Sequence, residues 1–212
     1  MIRTRSVFRR TVVVAAASAA AFVLAACGGD GDDSSGHGSH NSNSASPAAS
    51  APASRGQHNA ADVAFAAGMI PHHRQAVEMA DLAPERAQSA EVKKLAADIK
   101  KAQDPEIKTL SGWLTSWGEQ VPAQGAMGHS MHGGASGGMM TVQEMERLEK
   151  ASGKAFDTAF MDLMIKHHEG AVAMAETEQA DGAYGPAKKM AGQIITSQSA
   201  EIERMNKLLG ND

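Results

Sequence analysis

The sequence predicts an all-α fold, a four-helix bundle built from two duplicated helical hairpins. Three observations predict it. Displaced by 95 positions, the 212-residue chain aligns with itself over 60–114 and 155–209 without a gap, the mark of an internal duplication. In each copy, apolar residues and histidines recur in steps of four and three, the spacing of one helix face. Apolar residues form 42% of the chain but aromatics only 4%, a composition poor for β-sandwiches and for base-stacking nucleic-acid modules.

Charge and cysteine usage narrow the class further. A formal net charge of −4 gives no basic footprint for DNA or RNA. One cysteine excludes an intramolecular disulfide framework and Cys-rich zinc or iron–sulfur sites. The unusual counts are 13 Met and 9 His.

Residues 1–26 read as a lipoprotein signal peptide. Arg3, Arg5, Arg9 and Arg10 precede an uncharged, mostly apolar run from Thr11 to Ala26, too short for a comfortable membrane span. Leu24-Ala25-Ala26-Cys27 resembles a bacterial lipobox, so Cys27 is the expected lipidation site and first mature residue. Without 1–26 the chain has 16 basic and 24 acidic residues, a formal −8, so attachment to a membrane rests on the acyl chains alone. Residues 27–58 hold almost no large apolar side chain and read as a flexible tether. His37, His40 and His58 fit solvated tether positions better than a metal site.

The folded domain is expected over 59–212. Phe65, Met69, His72, Ala76 and Met79 share one helix face, and Phe160, Met164, His167, Ala171 and Met174 repeat the pattern. Pro71 predicts either a kink near Gly68–Pro71 or a helix starting afresh there. Each second helix carries its own core stripe. In the first copy this is Val92, Leu95, Ile99, Ala102, Ile107, Leu110, Trp113, Leu114 and Trp117. In the second it is Ile194, Ile195, Ile202, Met205, Leu208 and Leu209, with Pro186 suited to a first helical turn. Residues 118–140 read as a Met/His/Gly-rich crossover loop. Thr141 and Glu144 then fit a capping box for a short helix to about Lys150, broken by Ser152-Gly153.

Both copies keep Met-Ile-x-His-His-x-x-Ala-Val-x-Met-Ala, although 81–92 and 176–187 share no identity. Packing accounts for Ile, Val, Ala and Met. It accounts poorly for adjacent histidines, because a buried imidazole needs partners for its nitrogens. Met69 lies three residues before His72 and four before His73, within thioether reach of either ring. Imidazole with thioether suits a soft ion, copper(I) first, and the lack of carboxylates disfavours magnesium, calcium and manganese. Neighbouring side chains on a helix diverge by about 100°. His72 and His167 are therefore expected at the centre, with His73 and His168 on the flank. Position i−3 of each motif histidine is Met or Ile, never Glu, which argues against a di-iron centre of the Glu-x-x-His type. Met127, His129, Met131 and His132, with Met139 and Met140 nearby, form a second soft-ligand tract, readable equally as a Met-rich linker. No nucleophile elbow or phosphate-cradling loop appears.

Met69-Ile70-Pro71-His72-His73 and Met164-Ile165-Lys166-His167-His168-Glu169-Gly170-Ala171 resemble the paired signatures of the bacterial domain of unknown function 305 family. Ala151-Ser152-Gly153 before Phe156-Asp157 and Phe160-Met161 is similar to its second-half pattern. The resemblance covers roughly 60–209. It implies a ferritin-like helical bundle, export and an association with copper, but no established enzyme activity. Carried over by position, the candidate metal ligands are Met69, His72, His73, Met79, Met164, His167, His168 and Met174. The expectation is an exported, lipid-anchored copper-binding protein on the extracytoplasmic face of the membrane. It would sequester or buffer copper(I), with a metal ion as partner and no nucleic acid. Two other readings stay open, a metal-free helical interaction module with structural histidines and a metal-dependent oxidase.

Overall fold

The computed structural model describes residues 57–124 and 136–211, all within one compact unit, Ser50–Asp212. Five helices follow in order: α1 (Ala60–Arg86), α2 (Ala90–Trp117), α3 (Val142–Lys150), α4 (Gly153–Asp181) and α5 (Gly185–Leu209). A single 3-10 turn, Ser136–Gly138, precedes α3. Among the described residues there is no strand, and no helix is long and apolar enough to cross a membrane.

Helix ends follow local chemistry. Asn59 and Asp62 form a capping box at α1, and Thr141 and Glu144 form the expected one at α3. Ser89 accepts the Val92 N–H at the start of α2, and Pro186 sits in the first turn of α5. Gly118 (φ 81°) and Gly210 (φ 77°) close α2 and α5 in the left-handed conformation that favours glycine.

α1 pairs with α2 and α4 with α5, and the hairpins meet through α1 against α4. The duplication predicted this arrangement. Short α3 is tied to α4 by buried Leu148 and by Lys166 Nζ to Glu144 Oε1 at 3.0 Å. The restart at Pro71 does not occur, since α1 runs unbroken through Pro71 and Pro84. An interior proline costs ~3 kcal/mol. Burial of Phe65, Met69 and Ile70 before it, and of Ala76 and Met79 after it, offsets that cost. Two predicted core residues lie outside: Ala102 and Leu208 are exposed, and Gln103 is buried where Ala102 was expected.

Equivalent aspartates lock the hairpins together. Asp62 of α1 accepts the Tyr184 N–H (2.9 Å) and Ala183 N–H (3.2 Å) in the α4–α5 turn. Asp157 of α4, 95 positions on, accepts the Gln88 N–H (3.0 Å) and Ser89 N–H (2.9 Å) in the α1–α2 turn. Burial opposes ionisation of Asp62, but backbone N–H donors led by Asn59 and Tyr184 outweigh it and hold the carboxyl below its ordinary value. Glu178 has only Ala83 as counterpart in the first copy. Burial first, and then neighbouring Asp62, push its carboxyl up to about 8.

The apolar interior is split in two. One cluster holds Met79, Leu95, Ile99, Phe156, Phe160 and Met164. The other holds Phe65, Met69, Leu110, Leu114, Ala171 and Ile194. In each of the four long helices, polar residues interrupt the stripe at the same level. These are His72 and His73 in α1, Gln103 and Glu106 in α2, His167 and His168 in α4, and Gln198 and Glu201 in α5. The result is a polar layer between two apolar ones.

Candidate metal centre

His72 and His167 hold equivalent positions on the central helix pair. Their ring centroids are 3.8 Å apart with planes inclined by 43°. His72 is 2% exposed and His167 fully buried. Burial is the main force on both, pushing His72 down to about 3 and His167 well below its ordinary value. A hydrogen bond from His72 Nε2–H to the Gly137 carbonyl (2.9 Å) opposes this only in part. Both rings are therefore neutral near pH 7, with lone pairs free of protons. His72 Nδ1 and both nitrogens of His167 have no partner among the described residues. An unmet buried polar group costs about 1–3 kcal/mol, so this junction is an expensive piece of core unless something binds there.

His73 and His168 are not merely on the flank. Both are fully buried, turned toward the second helix of their own hairpin. His73 Nε2 meets Glu106 Oε2 at 2.7 Å, and His168 Nε2 meets Glu201 Oε2 at 2.6 Å. The signal for these partners lay in the repeat, where Glu106 and Glu201 align.

The methionines pair across the copies. Met69 and Met174 belong to one apolar cluster, and Met79 and Met164 to the other. Antiparallel packing of α1 on α4 dictates this, because a residue before His72 lies level with one after His167. Met69, Met79 and Met164 are fully buried, while Met174 is half-buried. Among the described residues, no three His, Cys, Asp or Glu side chains converge on one point. The apolar clusters on either side of the His72–His167 junction do contain thioether sulfurs, donors that suit a soft ion.

A strap of crossover chain closes one side of the layer. Gln75 holds the Met140 backbone twice, accepting its N–H (2.7 Å) and donating to its carbonyl (3.0 Å). Gln75 aligns with Gly170 in the second copy. There a Cβ would stand 1.9 Å from the Gly137 carbonyl oxygen, so only glycine admits the strap. Gly137 (φ 69°) also adopts the left-handed conformation. The Met174 sulfur lies beside it, 4.0 Å from where a Gly137 Cβ would be. Met127, His129, Met131 and His132 of the second tract, and Cys27, lie outside the described residues.

Fold and site together define a duplicated helical-hairpin bundle with a doubled His-His motif buried at its centre. The chain belongs to the DUF305 family, whose model, a domain of unknown function, matches residues 62–209. Its solved relatives include a presumed secreted DUF305 protein from Streptomyces coelicolor, at 34% identity and TM-score 0.63 over 71% of this chain and 93% of that one. A DUF305 fragment from Deinococcus radiodurans is 30% identical, with TM-score 0.63 over 73% and 98%. CopM in the Cu(II)-bound form is 36% identical, with TM-score 0.62 over 71% and 96%, and CopM is also known in Cu(I)-bound and Ag-bound forms. No curated protein matches.

Proposed function

We propose that this domain binds copper, copper(I) above copper(II), at the junction of its two hairpins and sequesters or buffers it outside the cytoplasm. The observation that carries this is the His72–His167 pair, two buried neutral imidazoles with three nitrogens that lack a partner among the described residues. Met69 and Met174 on one side, and Met79 and Met164 on the other, supply the soft donors. CopM, similar over most of the domain, has been captured with Cu(I), Cu(II) and Ag, which supports the reading. In this role the chain's work is to hold lone pairs free of protons, to keep water out and to offer sulfur. No reaction is required of it.

A copper(I) competition titration of the dialysed protein tests the proposal. Saturable uptake that His72→Ala and His167→Ala weaken by similar amounts supports it. Absence of uptake favours a metal-free interaction module, for which the partnered His73 and His168 are the supporting feature. Turnover of oxygen or copper(I) by the loaded protein favours an oxidase. Deleting only 125–135 separates the Met127, His129, Met131 and His132 tract from the bundle site. A wider deletion would remove the strap at Gly137–Met140.

Export and anchoring belong to the same proposal. A signal over 1–26 delivers the chain, lipid on Cys27 holds it at the extracytoplasmic face, and 27–58 tethers the domain. Cys27→Ser is expected to release the cleaved protein from the membrane fraction. Tight retention of that variant refutes the anchor.

A further inference from the structure

We propose that Glu106 and Glu201 are positioning residues, each fixing the tautomer of the histidine it meets so that His73 and His168 present a bare Nδ1 to a soft metal ion. This rests on the copper reading above and extends it to the outer helices.

The hydrogen bond between each histidine and its glutamate can run only one way. A carboxylate oxygen has lone pairs and no proton to give, so the imidazole must donate. At 2.7 Å for His73 and 2.6 Å for His168, the donor is Nε2–H in both copies. With the proton on Nε2, a neutral ring leaves Nδ1 as a naked lone pair. That Nδ1 is buried in both rings and has no partner among the described residues. It faces away from the carboxylate, since the two nitrogens lie on opposite sides of the imidazole. The glutamates themselves reach solvent, with 21% and 20% of their side chains exposed, while the rings are wholly buried. Each carboxylate thus stands at the rim and each free nitrogen points inward.

Structural need alone does not account for this. One hydrogen bond would satisfy a ring only if its other nitrogen reached a partner, and among the described residues neither does. The arrangement also recurs although its neighbourhood differs between copies. Asp104-Pro105 precedes Glu106 where Ser199-Ala200 precedes Glu201, and the strap meets His72 rather than His167. A carboxylate behind an imidazole whose far nitrogen binds metal is how proteins fix ring orientation and raise ligand basicity, and losing such a carboxylate costs about 10–100-fold in metal affinity.

The test compares the protein with Glu106→Gln and Glu201→Gln, using silver(I) as probe and nitrogen NMR of isotope-labelled imidazoles. In the metal-free protein, His73 and His168 should carry their proton on Nε2. With silver bound, both should show silver–nitrogen coupling at Nδ1. Each Gln variant, which keeps side-chain size at a partly exposed position, should retain its helical spectrum and bind silver about 10–100-fold more weakly. A purely structural contact would move the melting temperature without touching coupling or affinity. The proposal is overturned by a proton on Nδ1 in the metal-free protein, or by bound silver that leaves both rings uncoupled. Gln variants that bind silver as tightly as the parent overturn it too. In those three cases the copper reading stands. Uptake of neither silver nor copper(I) overturns that reading and this proposal with it.

Discussion

Replacing His167 with leucine should make the protein more stable while weakening the copper binding proposed above. The side chain is fully buried, and both ring nitrogens lack partners among the described residues. Removing an unmet buried polar group recovers about 1–3 kcal/mol, and leucine is close enough in volume to keep the contact with His72. For a domain of this size, that corresponds to a rise in Tm of roughly 2–12 °C. The pH dependence gives an independent check. Burial depresses the folded-state values, taking His72 from 6.5 to about 3 and His167 well below 6.5. Between those limits the unfolded chain binds protons that the folded protein refuses. Stability contributed by these rings is thus complete above pH 6.5 and lost on acidification, at about 1.4 kcal/mol per pH unit per histidine. His167→Leu should remove one histidine's share of that slope. Thermal unfolding of the metal-free protein between pH 4 and pH 8, beside a copper(I) titration, reads all three effects. A variant that melts lower at pH 7.5 and keeps the full acid slope would refute the reasoning, because His167 would then be a satisfied structural residue.

The other predictions concern the strap, the clamps and the thioethers. Gly170→Ala places a Cβ against the Gly137 carbonyl and should cost about 1–3 kcal/mol in thermal unfolding by overpacking, with the His72–Gly137 hydrogen bond lost in the amide and imidazole NMR spectra. Asp157→Ala and Asp62→Ala each remove backbone hydrogen bonds to a charged acceptor, worth about 1.5–3 kcal/mol apiece; similar denaturant midpoints for the two variants are expected if the halves are equivalent. Met69→Leu and Met164→Leu should change stability by less than about 1.5 kcal/mol yet weaken copper(I) more than copper(II) in competition titrations. Unchanged copper(I) affinity in both would leave these methionines as core filler.

Much of this molecule is legible in its sequence. The 95-residue repeat, the helical spacing of Phe65 to Met79 and the Thr141–Glu144 box come from short-range rules, and the helices they predicted formed where expected. The restart at Pro71 does not occur because tertiary burial on both sides outweighs the local cost of a proline. Ala102 and Leu208 lie exposed for a related reason. Periodicity gives a helix an apolar stripe, but the outer helices pack mainly against one partner and leave the stripe's edges in water.

Periodicity places His72 with Met69 and Met79 on one face, and the doubled His-His motif marks the polar layer inside the bundle. What it could not say is which residue of one copy lies level with which residue of the other. That is decided by the antiparallel crossing of α1 on α4, which brings His72 to 3.8 Å from His167 and sets Met69 with Met174 and Met79 with Met164. The same holds for Glu106 against His73, 33 positions apart, and for Asp62 against the Tyr184 N–H, 122 apart. A sequence determines which faces seek burial, because that depends on neighbours within two helical turns. Which polar atoms meet inside depends on how distant helices cross, and only the packed tertiary structure settles that.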